Sequence, residues 1–221
     1  MDINRYIDHT ILKPEASKSE IILLCQEALR FNFATVCVNP TNISLVSENL
    51  KSSGGNTKPC AVVGFPLGAN DTLSKAFEAG LAMENGASEI DMVINIGALK
   101  SGDKKKFSQD IRSVVKVVEG LALLKVIIEC SLLTQEEKVF ACKTAVEEGA
   151  NFVKTSTGFS TGGATVEDIN ILRKTVGRGI GVKASGGIRD YATALKMVRA
   201  GADRIGTSSG VKIMEEFSKT L

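Results

Sequence analysis

Three stretches of this chain read almost alike: NGASEIDMV (85–93), EGANFVKTS (148–156) and AGADRIGTS (200–208). Each is a helix end, a Gly-Ala pair and then a strand. Glycine suits the left-handed turn that closes a helix. The small alanine beside it lets the chain turn tightly into the strand. A helix–turn–strand unit used repeatedly implies a parallel sheet covered by helices.

Working outward, β-branched runs recur at ATVCV (34–38), CAVVGF (60–65), EIDMVI (89–94), LKVIIE (124–129), FVKTS (152–156), GVKAS (181–185) and DRIGT (203–207). They are apolar nearly throughout, as strands covered on both faces require. YIDHT (6–10) supplies an eighth, before a first helix at about 18–30. The segments between have helical spacing: Phe107, Ile111, Val114, Val115 and Val118 share one face. Ser17 with Glu20, Thr134 with Glu137, and Thr165 with Asp168 have capping-box spacing. Asp190 is placed to cap the helix carrying Ala194, Leu195, Met197 and Val198. Eight such units in 221 residues predict an α/β fold, a (β/α)8 TIM barrel with a short N-terminal segment, as one domain over 1–221. An open doubly wound sheet is the rival.

Composition narrows the function. Lys plus Arg number 27 and Asp plus Glu 25, for a net charge of +2, far from the basic excess of a nucleic-acid binder. Cysteines stand at 25, 37, 60, 130 and 142, with no CxxC pair, and His9 is the only histidine. That pattern gives neither a disulfide framework nor a zinc site, so no metal is expected. The opening MDINRYIDHTILKPEAS lacks an apolar signal core, and no window is long enough to span a membrane. A cytoplasmic protein is expected.

In a barrel the working face lies at the C-terminal ends of the strands. Asp91, Lys154 and Lys183 stand out because each interrupts apolar strand sequence. Burial disfavours an ammonium and lowers its pKa, making a lysine nucleophilic near neutral pH. Lys154 is therefore a candidate amine nucleophile, or else a surface lysine at a strand end. Lys183 comes from the next strand, so it is either a second cation that tunes the first or a phosphate-binding lysine. Asp91 is a proton shuttle for that pair or a structural salt bridge. The glycine-rich turns SGGIR (185–189) and GTSSG (206–210) are phosphate cradles or tight turns, and TSTGFSTGGAT (155–165) is long enough to line the site. His9 is read as a local hydrogen-bonding residue, and Cys37 as a buried inert thiol.

Taken together, KTSTG (154–158), KASGGIR (183–189), EIDMVINIG (89–97) and DHTIL (8–12) resemble the deoxyribose-phosphate aldolase family, in order from Asp8 to Ser209. The resemblance implies a class I aldolase that needs no cofactor and cleaves 2-deoxy-D-ribose 5-phosphate to D-glyceraldehyde 3-phosphate and acetaldehyde. By matching motifs, Lys154 forms the Schiff base, and Lys183 tunes it and shares proton transfer with Asp91. Thr157, Gly158, Gly186, Gly187, Ser208 and Ser209 line the substrate and phosphate site, with Asp8 and Cys37 near the substrate. The implied partners are small sugar phosphates and aldehydes, with no nucleic acid and no membrane, and a homodimer is the simplest assembly. Phe159 departs from the family, some members of which carry lysine there. That departure bears on whether this loop brings charge to the phosphate. Two other functions stay open: a phosphate-binding isomerase or epimerase using Asp91 as base, and a non-catalytic sugar-phosphate sensor.

Overall fold

The computed structural model describes residues 2–51 and 54–220. Eight parallel strands close into a barrel in sequence order: β1 (Ile7–Ile11), β2 (Thr35–Val38), β3 (Lys58–Val63), β4 (Glu89–Val93), β5 (Leu123–Ile127), β6 (Phe152–Lys154), β7 (Gly181–Ser185) and β8 (Arg204–Thr207). Closure is made by β1 against β8, with Asp8 level with Gly206. The open doubly wound sheet is thereby ruled out.

Helices return the chain between strands: α1 (Lys18–Arg30), α2 (Ile43–Lys51), α3 (Thr72–Glu84), α4 (Ile96–Lys100), α5 (Lys104–Val118), α6 (Gln135–Glu147), α7 (Val166–Val176), α8 (Tyr191–Arg199) and α9 (Gly210–Ser218). Ser17 and Thr134 form complete capping boxes with Glu20 and Glu137. Thr165 and Asp190 accept from the backbone N–H groups of Asp168 and Thr193. The short α4 is not foreshadowed by periodicity. It is nucleated by Asn95, whose side chain accepts from Ala98 N.

The repeated Gly-Ala unit has one geometry at each appearance. Gly86, Gly149 and Gly201 all have positive φ, at 102°, 104° and 113°. The next N–H, of Ala87, Ala150 or Ala202, reaches back five residues to Ala82, Ala145 or Met197. The residue after that bonds the preceding strand: Ser88 to Pro59, Asn151 to Leu124, Asp203 to Val182. One turn thus ends a helix and sets the register of the following strand. RFNFATV (30–36) is a fourth copy, with Asn32 at φ 54° in the glycine position and Ala34 N bonded to Ile7 O. Strand β3 starts two residues before the CAVVGF run and stops at Val63, because Gly64 at φ 62° leaves the extended region.

Outward strand residues such as Val36, Ile90, Met92, Val126, Val153 and Val182 join Phe107, Ile111 and Val114 in the main apolar core. Between α3 and α5 lies a buried ion pair, Lys75 Nζ to Asp110 Oδ2 at 2.6 Å. Lys75 also donates to Val93 O at 2.9 Å, and Thr72 Oγ1 donates to Asp110 Oδ1 at 3.0 Å. Lys75 thereby ties α3 and α5 to the mouth end of β4. Removing one partner leaves an uncompensated buried charge. Asp110→Ala is expected to cost about 3–5 kcal/mol in urea unfolding, whereas Lys105→Ala on the exposed side of α5 is expected to change stability by roughly 0.5 kcal/mol at most.

Candidate active site

Strand alternation turns every second side chain inward. On this chain the inward set is ionic. Asp91 of β4 receives three ammonium groups: Lys125 at 2.8 Å on Oδ1, and Lys154 and Lys183 at 2.8 Å each on Oδ2. Lys183 also pairs with Asp8 Oδ2 at 2.6 Å, and Lys125 with Glu89 Oε2 at 2.5 Å. Arg204 of β8 bridges Asp8 Oδ1 at 2.6 Å and Glu89 Oε1 at 3.1 Å. Seven side chains from six strands form one network of four cations and three carboxylates.

The network is sealed from below. A Cβ at Gly181 would lie 2.1 Å from the Phe152 ring, so Phe152 occupies that space as a plug, with Arg204 over its face. Gly206 leaves room for the Lys183 shaft, since a Cβ there would be 3.0 Å from Lys183 Cε. Asp8, Asp91, Lys125 and Lys183 are fully buried.

Above it opens a cavity of about 340 Å³. Its floor includes Lys154, its sides Thr157, Gly158 and Phe159 from the loop after β6, and its far wall Gly186, Gly187 and Ser208 from the turns after β7 and β8. Of the network, Lys154 alone reaches this cavity. The β6 loop is held in place by Glu129, whose Oε2 accepts from Thr157 Oγ1 at 2.5 Å and Thr157 N at 3.2 Å. It is pressed onto the next turn at Gly163, where a Cβ would fall 2.4 Å from Gly186 O.

Desolvation alone would raise the carboxyls of Asp8 and Asp91. The cations outweigh it, Lys183, Lys125 and Arg204 at Asp8, and Lys125, Lys154 and Lys183 at Asp91, and both stay below the usual range. Burial likewise works against the ammoniums of Lys125 and Lys183, yet their carboxylates raise both. Lys183 is thus locked as a cation, and its charge is shared with Asp8 and Asp91. From sequence, Lys183 is expected beside Lys154 as a neighbouring charge; the geometry places Asp91 Oδ2 between the two amines, 2.8 Å from each.

Asp8 and Cys37, expected near the substrate, do not line the cavity. Asp8 lies beneath it in the ion network. Cys37 is fully buried against Leu12, Cys60 and Val62. Ser209 precedes α9, its N–H donating to Thr207 Oγ1 at 2.9 Å, and is not on the cavity wall. His9 bonds Glu27 at 2.7 Å on the outer side of β1. Phe159 meets Phe65 edge to face, 5.2 Å between centroids, and gives the mouth an apolar side where a lysine would have given a charge.

Sequence reasoning misses Lys125, Glu89 and Arg204 in the network. It also misses Lys13 and Arg189, two cations on the cavity wall. Lys125 has a signal, since LKVIIE is interrupted by a lysine just as FVKTS is. Glu89 and Arg204 have none, because charged residues that open strands are ordinarily solvated. Among the described residues, Cys37, Cys60 and Asp91 are the group whose ligand atoms lie within 4.8 Å of one another. Three ammoniums already compete for Asp91, and Lys125 stands 3.5 Å from Cys60 Sγ, so a divalent cation would meet repulsion there.

The DeoC/LacD family aldolase model matches residues 3–216. The chain belongs to that aldolase family. Among relatives, the deoxyribose-phosphate aldolase of Geobacillus sp. (strain WCH70) is 60% identical over 97% of this chain and 95% of its own length. That of Clostridium tetani is 60% identical over 98% and 99%. Among solved structures, an aldolase called QR15 superposes with a TM-score of 0.93 at 42% identity, covering 99% of this chain and 97% of its own. The deoxyribose phosphate aldolase from Aeropyrum pernix, described as having a unique tetrameric structure, gives 0.91 at 33% identity over 99% and 92%. The superposed aldolases share the (β/α)8 barrel of this chain.

The network has a pH signature. Carboxyls held low add stability above their unfolded value of 3.8 and lose it as pH falls toward their folded values. Lysines held high add stability below 10.5 and lose it as pH rises toward theirs. The contribution of Asp8, Asp91, Lys125 and Lys183 is therefore flat from about pH 4 to about 10. Urea-unfolding midpoints are expected to decline below pH 4, and Asp8→Asn to flatten that decline while lowering the plateau.

Proposed function

We propose that this chain is a deoxyribose-phosphate aldolase in which Lys154 forms the Schiff base. The observation that carries the reading is that Lys154 alone among the buried cations contacts both the ion network and the cavity. The names of the relatives supply the substrate, and the cavity chemistry agrees with it. Lys154 Nζ stands on the floor, and the glycine turns with Lys13 and Arg189 offer N–H groups and positive charge for a phosphate.

In this reading, open-chain 2-deoxyribose 5-phosphate enters with its aldehyde toward Lys154. The unprotonated amine adds to C1, forming a C–N bond and, after proton transfer, a carbinolamine. Loss of water gives an iminium ion. Removal of the C3 hydroxyl proton lets the C2–C3 electron pair flow into the iminium, releasing glyceraldehyde 3-phosphate and leaving an enamine. Protonation at C2 and addition of water return acetaldehyde and the free amine. Asp91 Oδ2, 2.8 Å from Lys154 Nζ, is within reach of the amine proton. Lys183, 2.8 Å from the same oxygen, keeps that carboxylate ionised and oriented. Thr157, Gly158, Gly186, Gly187 and Ser208 position the substrate, and the glycine turn after β7 complements its phosphate.

Such an enzyme acts in the cytoplasm, where reducing conditions keep its five cysteines as thiols; all five are free and buried. Among the described residues, no helix is long and apolar enough to cross a membrane. The chain is read as a homo-oligomer joined through α3, where Leu73, Phe77 and Leu81 form an i, i+4, i+8 apolar stripe exposed to 75%, 74% and 46%.

Acetaldehyde with borohydride is expected to add one reduced ethyl group at Lys154, located by peptide mass spectrometry. Lys154→Ala should lose the adduct and at least about 1000-fold in kcat/KM. Lys183→Leu should be nearly as damaging. An isomerase using Asp91 as base would give no adduct at all. Separately, Phe77→Asp should lower the mass measured by light scattering to that of a single chain while the trapped adduct persists.

A further inference from the structure

The ion network holds one more cation than carboxylates. Lys125, Lys183 and Arg204 are each bound to two carboxylates within 3.1 Å, and together they balance Asp8, Glu89 and Asp91. Lys154 is the fourth cation. It has one carboxylate contact, which it shares with Lys183, and it alone opens to the cavity. A proton leaving the network from Lys154 brings three cations against three carboxylates. A proton leaving any other member unbalances a side chain buried beneath the floor.

Building on the Schiff-base reading, we propose that Lys125 and Glu89 are positioning residues whose opposite charges set how readily Lys154 gives up its proton. Neither touches the cavity, and both act through the network, with Lys125 holding Asp91 Oδ1 at 2.8 Å and Glu89 Oε2 at 2.5 Å. Lys125 pushes the Lys154 proton away. Glu89 moderates that push by neutralising Lys125 and Arg204 from beneath. The pair is a counterweight, and its two halves have opposite signs.

The charged groups of the network around Lys154 come from several strands, and Glu129, just after β5, is bonded to Thr157. Lys125 comes from β5, Lys183 from β7, Asp91 and Glu89 from β4, Asp8 from β1 and Arg204 from β8. The thiols of Cys37 (β2) and Cys60 (β3) border the same space. Cys60 is pushed up by burial and donates its S–H to Asp91 Oδ1 at 3.3 Å. Cys37 is drawn down, chiefly through Cys60, and is the same in all the variants compared. Lys13 and Arg189 lie at the mouth, and Lys13 is paired to Glu20. Water screens mouth charges far more than those below the floor.

The test is the pH dependence of acetaldehyde trapping by cyanoborohydride, with the adduct located by mass spectrometry, in wild type, Lys125→Met, Glu89→Gln and the double variant. One unit charge a few ångströms away in a protein interior moves a titration by roughly one pH unit or more. Lys125→Met removes a cation, so the acidic limb should move to higher pH by that amount. Glu89→Gln removes an anion, so the limb should move to lower pH. The double variant removes a neutral pair, and its limb should return close to the wild-type position. Loss of packing alone would lower amplitudes and leave the limb where it was. If Lys125→Met does not fold, the downward shift in Glu89→Gln and its reversal in the double variant decide the matter. Limbs that stay put, or single variants that shift the same way, overturn the inference while leaving a Lys154 adduct intact. A wild-type adduct anywhere other than Lys154 overturns the Schiff-base reading and this inference together.

Discussion

Asp91 accepts three ammonium groups at 2.8 Å, and the site is built around that fact. A carboxylate so deep in the barrel would be costly alone, and each lysine beside it would be costly without it. Together they form a lattice in which every charge has opposite neighbours. At the far edge Arg204 bridges Asp8 and Glu89 through the two arms of its planar guanidinium. Lys125, Lys183 and Arg204 each hold two carboxylates, so moving any of them breaks more than one contact, while Lys154 is held by Asp91 alone.

The (β/α)8 barrel makes this possible by delivering one or two inward side chains per strand at nearly one height. Lys154 and Lys183 are level in register, yet one lines the cavity and the other is sealed. The difference lies in the path of the chain beyond each lysine. Lys154 is the last residue of β6, and the chain then swings outward into the loop anchored by Glu129. β7 continues through Ala184 and Ser185, and its glycine turn packs against Gly163. Two lysines that look equivalent along the chain are thereby given different access to substrate.

The mouth is asymmetric in the same way. One side carries glycine turns, Ser208 and Arg189, suited to an anion. The other carries Phe159, edge to face with Phe65. The two sides of the mouth thus differ in chemistry, one polar and cationic, the other apolar. Phe159 brings no positive charge, and the cations lining the cavity besides Lys154 are Lys13 and Arg189.

Much of the fold was legible along the chain because its causes are local. A left-handed glycine must end a helix, a Ser or Thr with Glu three residues on must begin one, and a β-branched apolar run must be covered on both faces. Lys154, Lys183 and Asp91 were legible for the same reason, since a charge inside an apolar strand needs an explanation wherever it occurs. Lys125 in LKVIIE meets the same criterion. Glu89 and Arg204 could not be read at all, because a charge at a strand's first residue usually faces water. Asp8 and Arg204 stand 196 residues apart and meet only because β1 and β8 close the barrel. The sequence by itself determined the units, their order and the amine at the mouth. Closure alone decided which charges share the interior and which one is left over, because charge balance is a property of a space enclosed by many strands.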